Sequence, residues 1–343
     1  MGFYKNGGPE VLEEIEVNQP EISESEILIR ITNTSLNNLD ILMRSGATKP
    51  PGMQLPHVPG SDIVGVVEKA GKEVKNVQAE EKVIANTLYG CGKCAECGSR
   101  NEALCKEWKV IGIHSWGSYG ELVKVPSRIA APAPKGFSDE ELGCIPLALS
   151  ISWRSLRWAA DAKEGETIAI RGASGNAGIF SVLLSKAMGM KIIAITRSED
   201  KAESLKRIGA DQVVVSQGNE EKVKKEVLEA SEGRGADIVL DSMGSTLNDS
   251  IAMVRHGGRV VVFGTMAGAE ANIGIKKYYW RSARIIGVHN ANLAELLEGL
   301  EFMRQKGIKP IMAKKLRITE AQEAHRLFAE SKAFGKIAMR HEW

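Results

Sequence analysis

Two patterns of hydrophobic and polar positions divide this chain. Up to Ser150 the apolar residues come in short runs broken by Gly and Pro. Residues 26–31, residues 62–67 (followed by the turn Ala70-Gly71-Lys72) and residues 121–125 (stopped by Pro126) read as strands. Short strands so punctuated predict a small β-rich barrel. Beyond Ser150, continuous apolar runs alternate with stretches of helical spacing. Strands are expected at 167–170, 191–195, 213–215, 238–240 and 260–263, and helices at 177–188, 201–208 and 220–231. Apolar strands without alternation need cover on both faces, so this part predicts a parallel, doubly wound sheet. The tail adds a helix over 293–305 and a closing strand over 336–339.

A length of 343 residues exceeds what one core usually sustains, so two domains are expected. With 45 basic against 43 acidic residues, no nucleic-acid or membrane surface is expected. No apolar run is long enough to span a bilayer. The start Met1-Gly2-Phe3-Tyr4-Lys5 lacks the apolar core of a signal peptide, so the expected location is the cytoplasm.

Four of the five cysteines cluster as Cys91-x-x-Cys94-x-x-Cys97 followed by Cys105. Two C-x-x-C steps and a fourth thiol on a short loop suit one tetrahedral zinc closed to water. Such a metal pins a lobe with little core of its own. An iron–sulfur cluster also takes four thiolates, but nothing else in the chain handles single electrons. Disulfides are disfavoured in a reducing compartment. Cys144, alone among apolar neighbours, reads as buried and inert.

The run Gly172-Ala173-Ser174-Gly175-Asn176-Ala177-Gly178 lies between a strand and a helix. Such a turn lets backbone approach a pyrophosphate, which the helix N-terminus then attracts. The spacing G-x-x-G-x-x-G is weak alone, and its strand-turn-helix context at the head of five strands in series is what gives it weight. Gly264, just past the last of those strands, completes the expected cofactor contacts. An NAD site carries an acid roughly 20 residues past the turn. Here that position reads Thr196-Arg197-Ser198. Arg197, supported by Ser198 and Lys201, is placed to pair with a 2′-phosphate, which favours NADP(H) over NAD(H). Glu199 is the competing acid nearby.

Together these features resemble the medium-chain dehydrogenase/reductase superfamily. The stretches Gly7-Gly8-Pro9-Glu10-Val11-Leu12, Leu36-Asn37-Asn38-Leu39-Asp40 with Arg44 and Gly46, Pro59-Gly60-Ser61-Asp62, Gly117-Ser118-Tyr119-Gly120-Glu121 and Gly335-Lys336-Ile337 are similar to its quinone oxidoreductase branch. The four-cysteine lobe resembles its alcohol dehydrogenase branch. The resemblance implies an α/β architecture: a GroES-like β-rich catalytic domain (1–125 and 270–343, with the zinc lobe at 91–105) and a Rossmann cofactor domain (126–269). It also implies a homodimer or homotetramer.

The departures from that family carry the functional expectation. Its alcohol dehydrogenases have Cys-His-Thr-Asp where this chain reads Asn37-Asn38-Leu39-Asp40, and Gly-His-Glu where it reads Gly60-Ser61-Asp62. Their third ligand, a cysteine, aligns near Leu147. The usual catalytic zinc ligands are therefore missing, although His57, Asp40, Asp62 and Cys144 offer material for an improvised site. Otherwise His57 and His114 read as structural.

Without a Lewis acid, hydrogen-bond donors must stabilise the developing oxyanion. Asn37, Asn38 and Ser61 are the expected donors, with Asp40 orienting them. Arg44 reads as a surface residue or a guide for acidic substrates. Leu88, Tyr89, Trp116 and Tyr279 are candidate pocket walls. Weak polarisation suits a conjugated acceptor, so the expected activity is NADP(H)-dependent reduction of a small carbonyl, quinone or α,β-unsaturated carbonyl substrate. The alternatives are an alcohol dehydrogenase with an atypical catalytic zinc and a nucleotide-binding protein without turnover.

Overall fold

The computed structural model describes residues 1–50, 53–330 and 333–342. Its contacts divide the chain into one unit of Met1–Ser150 with Ala291–Trp343, and another of Ile151–Asn290.

The first unit begins on β1 (Glu26–Ser35), whose Ile27, Ile29 and Ile31 face one core at a period of two. Asn37 caps α1 (Asn38–Ser45), and Gly46 ends that helix in the left-handed region, φ 79°. β2 (Ile63–Ala70) pairs antiparallel with β1, and β3 (Lys82–Ala85) with β2. β4 (Leu88–Tyr89) pairs with β5 (Lys109–Val110), closing a ribbon whose intervening chain holds the cysteines and the short α2 (Ala95–Gly98). β6 (Leu122–Pro126) pairs with β1, and β7 (Ala130–Pro132) with β3. Two helices follow, α3 (Asp139–Gly143) and α4 (Pro146–Trp153).

The second unit is a six-stranded parallel sheet. In chain order its strands are β8 (Thr167–Arg171), β9 (Lys191–Thr196), β10 (Gln212–Val215), β11 (Ala236–Asp241), β12 (Val254–Val262) and β13 (Arg284–Gly287). The intervening helices are α5 (Asn176–Ala187), α6 (Ala202–Arg207), α7 (Glu220–Ala230), α8 (Leu247–Met253) and α9 (Ile275–Arg281). Across the sheet the order is β10-β9-β8-β11-β12-β13. The order reverses between β8 and β11, and that switch point is where doubly wound sheets take ligands at their carboxyl ends.

The chain then returns to the first unit with α10 (Leu293–Lys306), β14 (Met312–Arg317), α11 (Ala321–Ala329) and β15 (Lys336–Arg340). β15 pairs with β1 and β14. The division thus falls later than the expected 125/126 and 269/270. At the first boundary, β7 belongs to β3, and Ser150 donates to Asn86 Oδ1 (3.3 Å). At the second, β13 completes the parallel sheet, and Ala291 O accepts from Asn86 Nδ2 (2.8 Å). Among the described residues no helix is long and apolar enough to cross a membrane.

One buried node ties the ends of the first unit together. Arg44 Nε donates to His325 Nδ1 and Arg44 Nη1 to Gly7 O, while His325 Nε2 meets the Tyr119 hydroxyl at 3.1 Å. Arg44 is therefore neither a surface residue nor a guide for substrates. Because its guanidinium only donates, Nδ1 is the acceptor and Nε2 carries the proton. Burial, then Arg44, pushes His325 down to about 3. Burial does the same to His341, also to about 3.

An unfolded histidine takes its proton near pH 6.5. Both groups therefore contribute stability that is complete above about 6.5 and is lost as pH falls towards about 3. Each adds a slope of up to about 1.4 kcal/mol per pH unit inside that window. Thermal unfolding should show the midpoint dropping steadily below pH 6, and His325→Leu should flatten part of the drop. A midpoint unchanged between pH 7 and 4.5 would contradict neutral burial.

Candidate active site

The glycine turn is built by close backbone approach. Gly172 adopts φ 70°, and a Cβ there would lie 2.4 Å from Ser242 Oγ. At Gly178 a Cβ would lie 2.2 Å from Gly172 O, so only glycine lets α5 pack against the turn. Gly175 caps α5 and is exposed. Ser174 Oγ and Thr196 Oγ1 lie 3.0 Å apart, and Thr196 Oγ1 accepts from Ser198 N–H (3.2 Å). Asn176 and Ala177 open the first turn of α5. Gly264 follows β12, and a Cβ there would lie 2.7 Å from Ser242 O. These groups ring the carboxyl edge of β8, β9, β11 and β12. Free backbone N–H groups, small residues and a helix start fit a dinucleotide there. Arg197 projects exposed from the loop after β9, whereas Lys201 is largely buried and its proton affinity is lowered by that burial.

The Cys91, Cys94, Cys97 and Cys105 thiols converge, with all four sulfurs within 4.8 Å of one another. Sulfur separations of 3.6 Å (Cys94–Cys97), 3.7 Å (Cys94–Cys105) and 4.0 Å (Cys91–Cys97) are too long for disulfides. They match the ~3.8 Å edge of a tetrahedron drawn at ordinary zinc–sulfur bond lengths. Backbone N–H groups of Cys91 and Glu107 donate to Cys105 Sγ at 3.3 and 3.4 Å, which suits a thiolate. Among the described residues this is the only group of three or more Cys, His, Asp or Glu side chains arranged to hold a metal.

Asp62 forms a different kind of centre. It is fully buried, and every hydrogen bond it accepts comes from its own fold. Oδ2 accepts from Ser35 Oγ (2.5 Å), Asn37 Nδ2 (2.8 Å) and Lys336 Nζ (3.0 Å), and Oδ1 from Leu147 N–H (2.8 Å). Lys336, buried to 1% exposure, also donates to Asn37 Oδ1 at 2.6 Å. Both ends of the Asn37 amide are thereby held. Asp40 accepts the backbone N–H groups of Asn37 (2.8 Å) and Gly60 (3.1 Å), so it orients loops. Burial raises its carboxyl to about 7. Asn38, half-buried, opens α1.

Ser61 does not fit its expected role as donor: it is fully buried and gives its one proton to Ile111 O (3.2 Å). His57 lies against Phe3 and meets Gly112 O at 2.9 Å. Cys144 is buried, its thiol pushed up to about 12 by desolvation. The donors for an improvised metal site are thus engaged separately. Of the candidate pocket walls, Leu88 is buried in the core beside the cysteine lobe, Trp116 donates to Pro56 O (3.3 Å), and Tyr279 is exposed on α9.

Comparison with known proteins agrees with this architecture. Residues 23–135 match the alcohol dehydrogenase GroES-like domain, and residues 177–305 the zinc-binding dehydrogenase family. The chain is 30% identical to an NAD-dependent alcohol dehydrogenase of Sulfolobus acidocaldarius, over 99% of this chain and 98% of the relative. It belongs to the medium-chain dehydrogenase/reductase superfamily. It is also 27% identical to an acryloyl-coenzyme A reductase of Sulfurisphaera tokodaii, over 95% of each chain. A solved NAD-dependent alcohol dehydrogenase superposes with a TM-score of 0.89 at 31% identity, covering 99% of this chain and 98% of that one.

As a member of this superfamily the protein is an oxidoreductase working with a nicotinamide cofactor, and its cysteine lobe fits one structural zinc. Lys336 and Arg171 are the residues that sequence reasoning passed over. Gly335-Lys336-Ile337 was visible as a motif, but no local signal tells a buried lysine in a strand from an edge one. Arg171, a charge closing an apolar strand just before the glycine turn, did carry a signal.

Proposed function

We propose that this protein reduces α,β-unsaturated carbonyl compounds, enoyl thioesters and quinones among them, with NADP(H) and without zinc at the reacting carbonyl. The observation that carries the proposal is the enclosure of Asp62 by Ser35, Asn37, Lys336 and Leu147. This carboxylate, in the stretch where alcohol dehydrogenases keep a metal ligand, is committed to a lysine. The likeness to a reductase of an acryloyl thioester supports the same reading.

The cofactor supplies the hydride, and the protein orients and polarises. Asn37 and Asn38 are the proposed donors to the developing enolate oxygen. Lys336 and Asp62 fix the Asn37 amide, leaving its second Nδ2 hydrogen free of both. Asp40 holds the loops that carry these amides.

A panel of enones, quinones, enoyl thioesters and simple alcohols, assayed with NADPH and NADH beside zinc analysis, tests the proposal. The expected outcome is conjugated acceptors reduced with one zinc per chain. Two zinc ions per chain with efficient alcohol oxidation would replace it by the zinc alcohol dehydrogenase reading.

Arg197 is the proposed partner of the 2′-phosphate, since no acid occupies residues 196–198. Arg197→Glu should raise the KM for NADPH about 10- to 100-fold, the worth of one charge-assisted pair. The KM for NADH should barely move. Equal changes for both cofactors would refute the assignment.

A further inference from the structure

Asn6-Gly7 is the only Asn-Gly pair in the chain. Glycine gives this dipeptide its chemistry: with no side chain at Gly7, nothing obstructs the approach of the Gly7 backbone nitrogen to the Asn6 side-chain carbonyl carbon. The fold ties down both reactants. Asn6 Nδ2 donates to Met43 O (2.9 Å) and Arg44 O (3.2 Å), carbonyls in the last turn of α1. Gly7 N–H donates to the same Arg44 O (3.1 Å). Asn6 therefore caps carbonyls that a helix end leaves without intrahelical partners.

Two neighbours make this cap specific. Gly46 ends α1 at φ 79°, and a Cβ there would lie 2.9 Å from Asn6 Cγ, so glycine leaves room for the amide. Arg44 Nη1 donates to Gly7 O (2.8 Å), so the carbonyl next to the reactive bond completes the buried node of Arg44, His325 and Tyr119. Asn6 and Gly7 are themselves only half-buried, so water reaches them once the cap opens.

We propose that Asn6-Gly7 is a deamidation site latched by the C-terminus of α1, which reacts when that contact opens and then keeps it from closing. Gly7 N gives its proton to hydroxide and bonds to Asn6 Cγ. The Cγ–Nδ2 bond breaks and ammonia leaves. Water then opens the succinimide ring to aspartate or isoaspartate, so the net change consumes water, releases ammonia and moves no electrons between reactants. Neither product restores the latch. A carboxylate only accepts, and this one would face two carbonyl oxygens at the negative end of a helix. Isoaspartate also adds a methylene to the main chain before Gly7, which displaces Gly7 O from Arg44.

Peptide mass spectrometry of the full chain, aged in mildly alkaline buffer with and without urea, tests this. It reads the exchange of NH2 for OH at Asn6, and enzymatic methylation counts the isoaspartate. Asn6 should react about 10- to 100-fold more slowly in the folded chain than in urea, because its two hydrogen bonds and that of Gly7 must open first. Gly46→Ala, which crowds Asn6 off the cap, should raise the folded rate about 10-fold without touching the reacting pair. Asn6→Asp, the product made directly, should melt about 2 °C or more below the parent. Circular dichroism establishes that each variant is folded, and should Gly46→Ala fail to fold, the parent with and without urea carries the test. Equal rates in the folded and unfolded chain, no reaction at Asn6 in either, or an Asn6→Asp protein that melts with the parent would each overturn the proposal.

Discussion

Lys336→Met should cost about 3–5 kcal/mol of stability, the usual penalty for breaking a buried ion pair from one side. The substitution keeps the chain length and removes the ammonium. Asp62 then keeps Ser35, Asn37 and the Leu147 N–H as partners, but no cation. In a chain of this size the melting temperature should fall by about 10 °C, at roughly 2–4 °C per kcal/mol.

The loss should be conditional on Asp62. Asp62→Asn alone strands the lysine and should be comparably harmful, whereas Lys336→Met with Asp62→Asn removes both charges and should recover part of the loss. Thermal or urea unfolding of the three variants completes the cycle. Additive losses, or a Lys336→Met protein melting within 2 °C of the parent, would mean that the pair is not coupled as its geometry indicates. The double variant should also lose activity beyond its loss of stability, because Asn37 would no longer be held at both ends. That makes Lys336 a positioning residue whose kinetic readout is kcat more than KM.

Removing the structural zinc should have an effect of similar size but different distribution. In isolated zinc-finger peptides such a site is worth on the order of 10 kcal/mol at neutral pH. Here the lobe also has Ala103, Leu88 and Val110 packed in a small core, and Ala103 N–H donates to Asn292 Oδ1 (3.0 Å). Part of the lobe therefore survives metal loss. Chelation, or Cys105→Ser, should lower the melting temperature by about 10 °C or more. It should also expose residues 91–110 to protease before the rest of the chain.

NADPH binding should persist after chelation at temperatures below the new transition, since the glycine turn belongs to the other unit. The protein as purified should carry one zinc per chain, measured by atomic emission. Retention of full thermal stability after complete zinc removal would contradict a structural role.

Local signals made much of this protein legible in advance. The βαβ alternation placed β8 to β11 within two residues of their observed limits, because a strand buried on both faces must be apolar throughout. β12 begins at Val254, six residues before the expected 260, and its polar stretch Arg255-His256-Gly257-Gly258-Arg259 carries no apolar signal. The outer strand β13 escaped, since Arg284-Ile285-Ile286-Gly287 is short and only half covered. The four cysteines and the glycine turn were likewise readable, each being a function of close sequence spacing. The residues opposite expected metal ligands raised the question of Asn37, Ser61 and Leu147, but could not say what took over.

What the sequence by itself determined was therefore the fold class, the four-cysteine lobe and the glycine turn, all written in residues near one another along the chain. What only the tertiary structure decided was where the buried charges go. Lys336 reaches Asp62 across 274 positions, and Arg44 reaches His325 across 281. The same long-range packing spent Ser61 on a carbonyl, assembled no second set of metal donors among the described residues, and left Arg171 with two idle N–H groups. The physical reason is that periodicity reports which face of an element is buried, whereas the partner of a buried charge is set by the strand or helix packed against it.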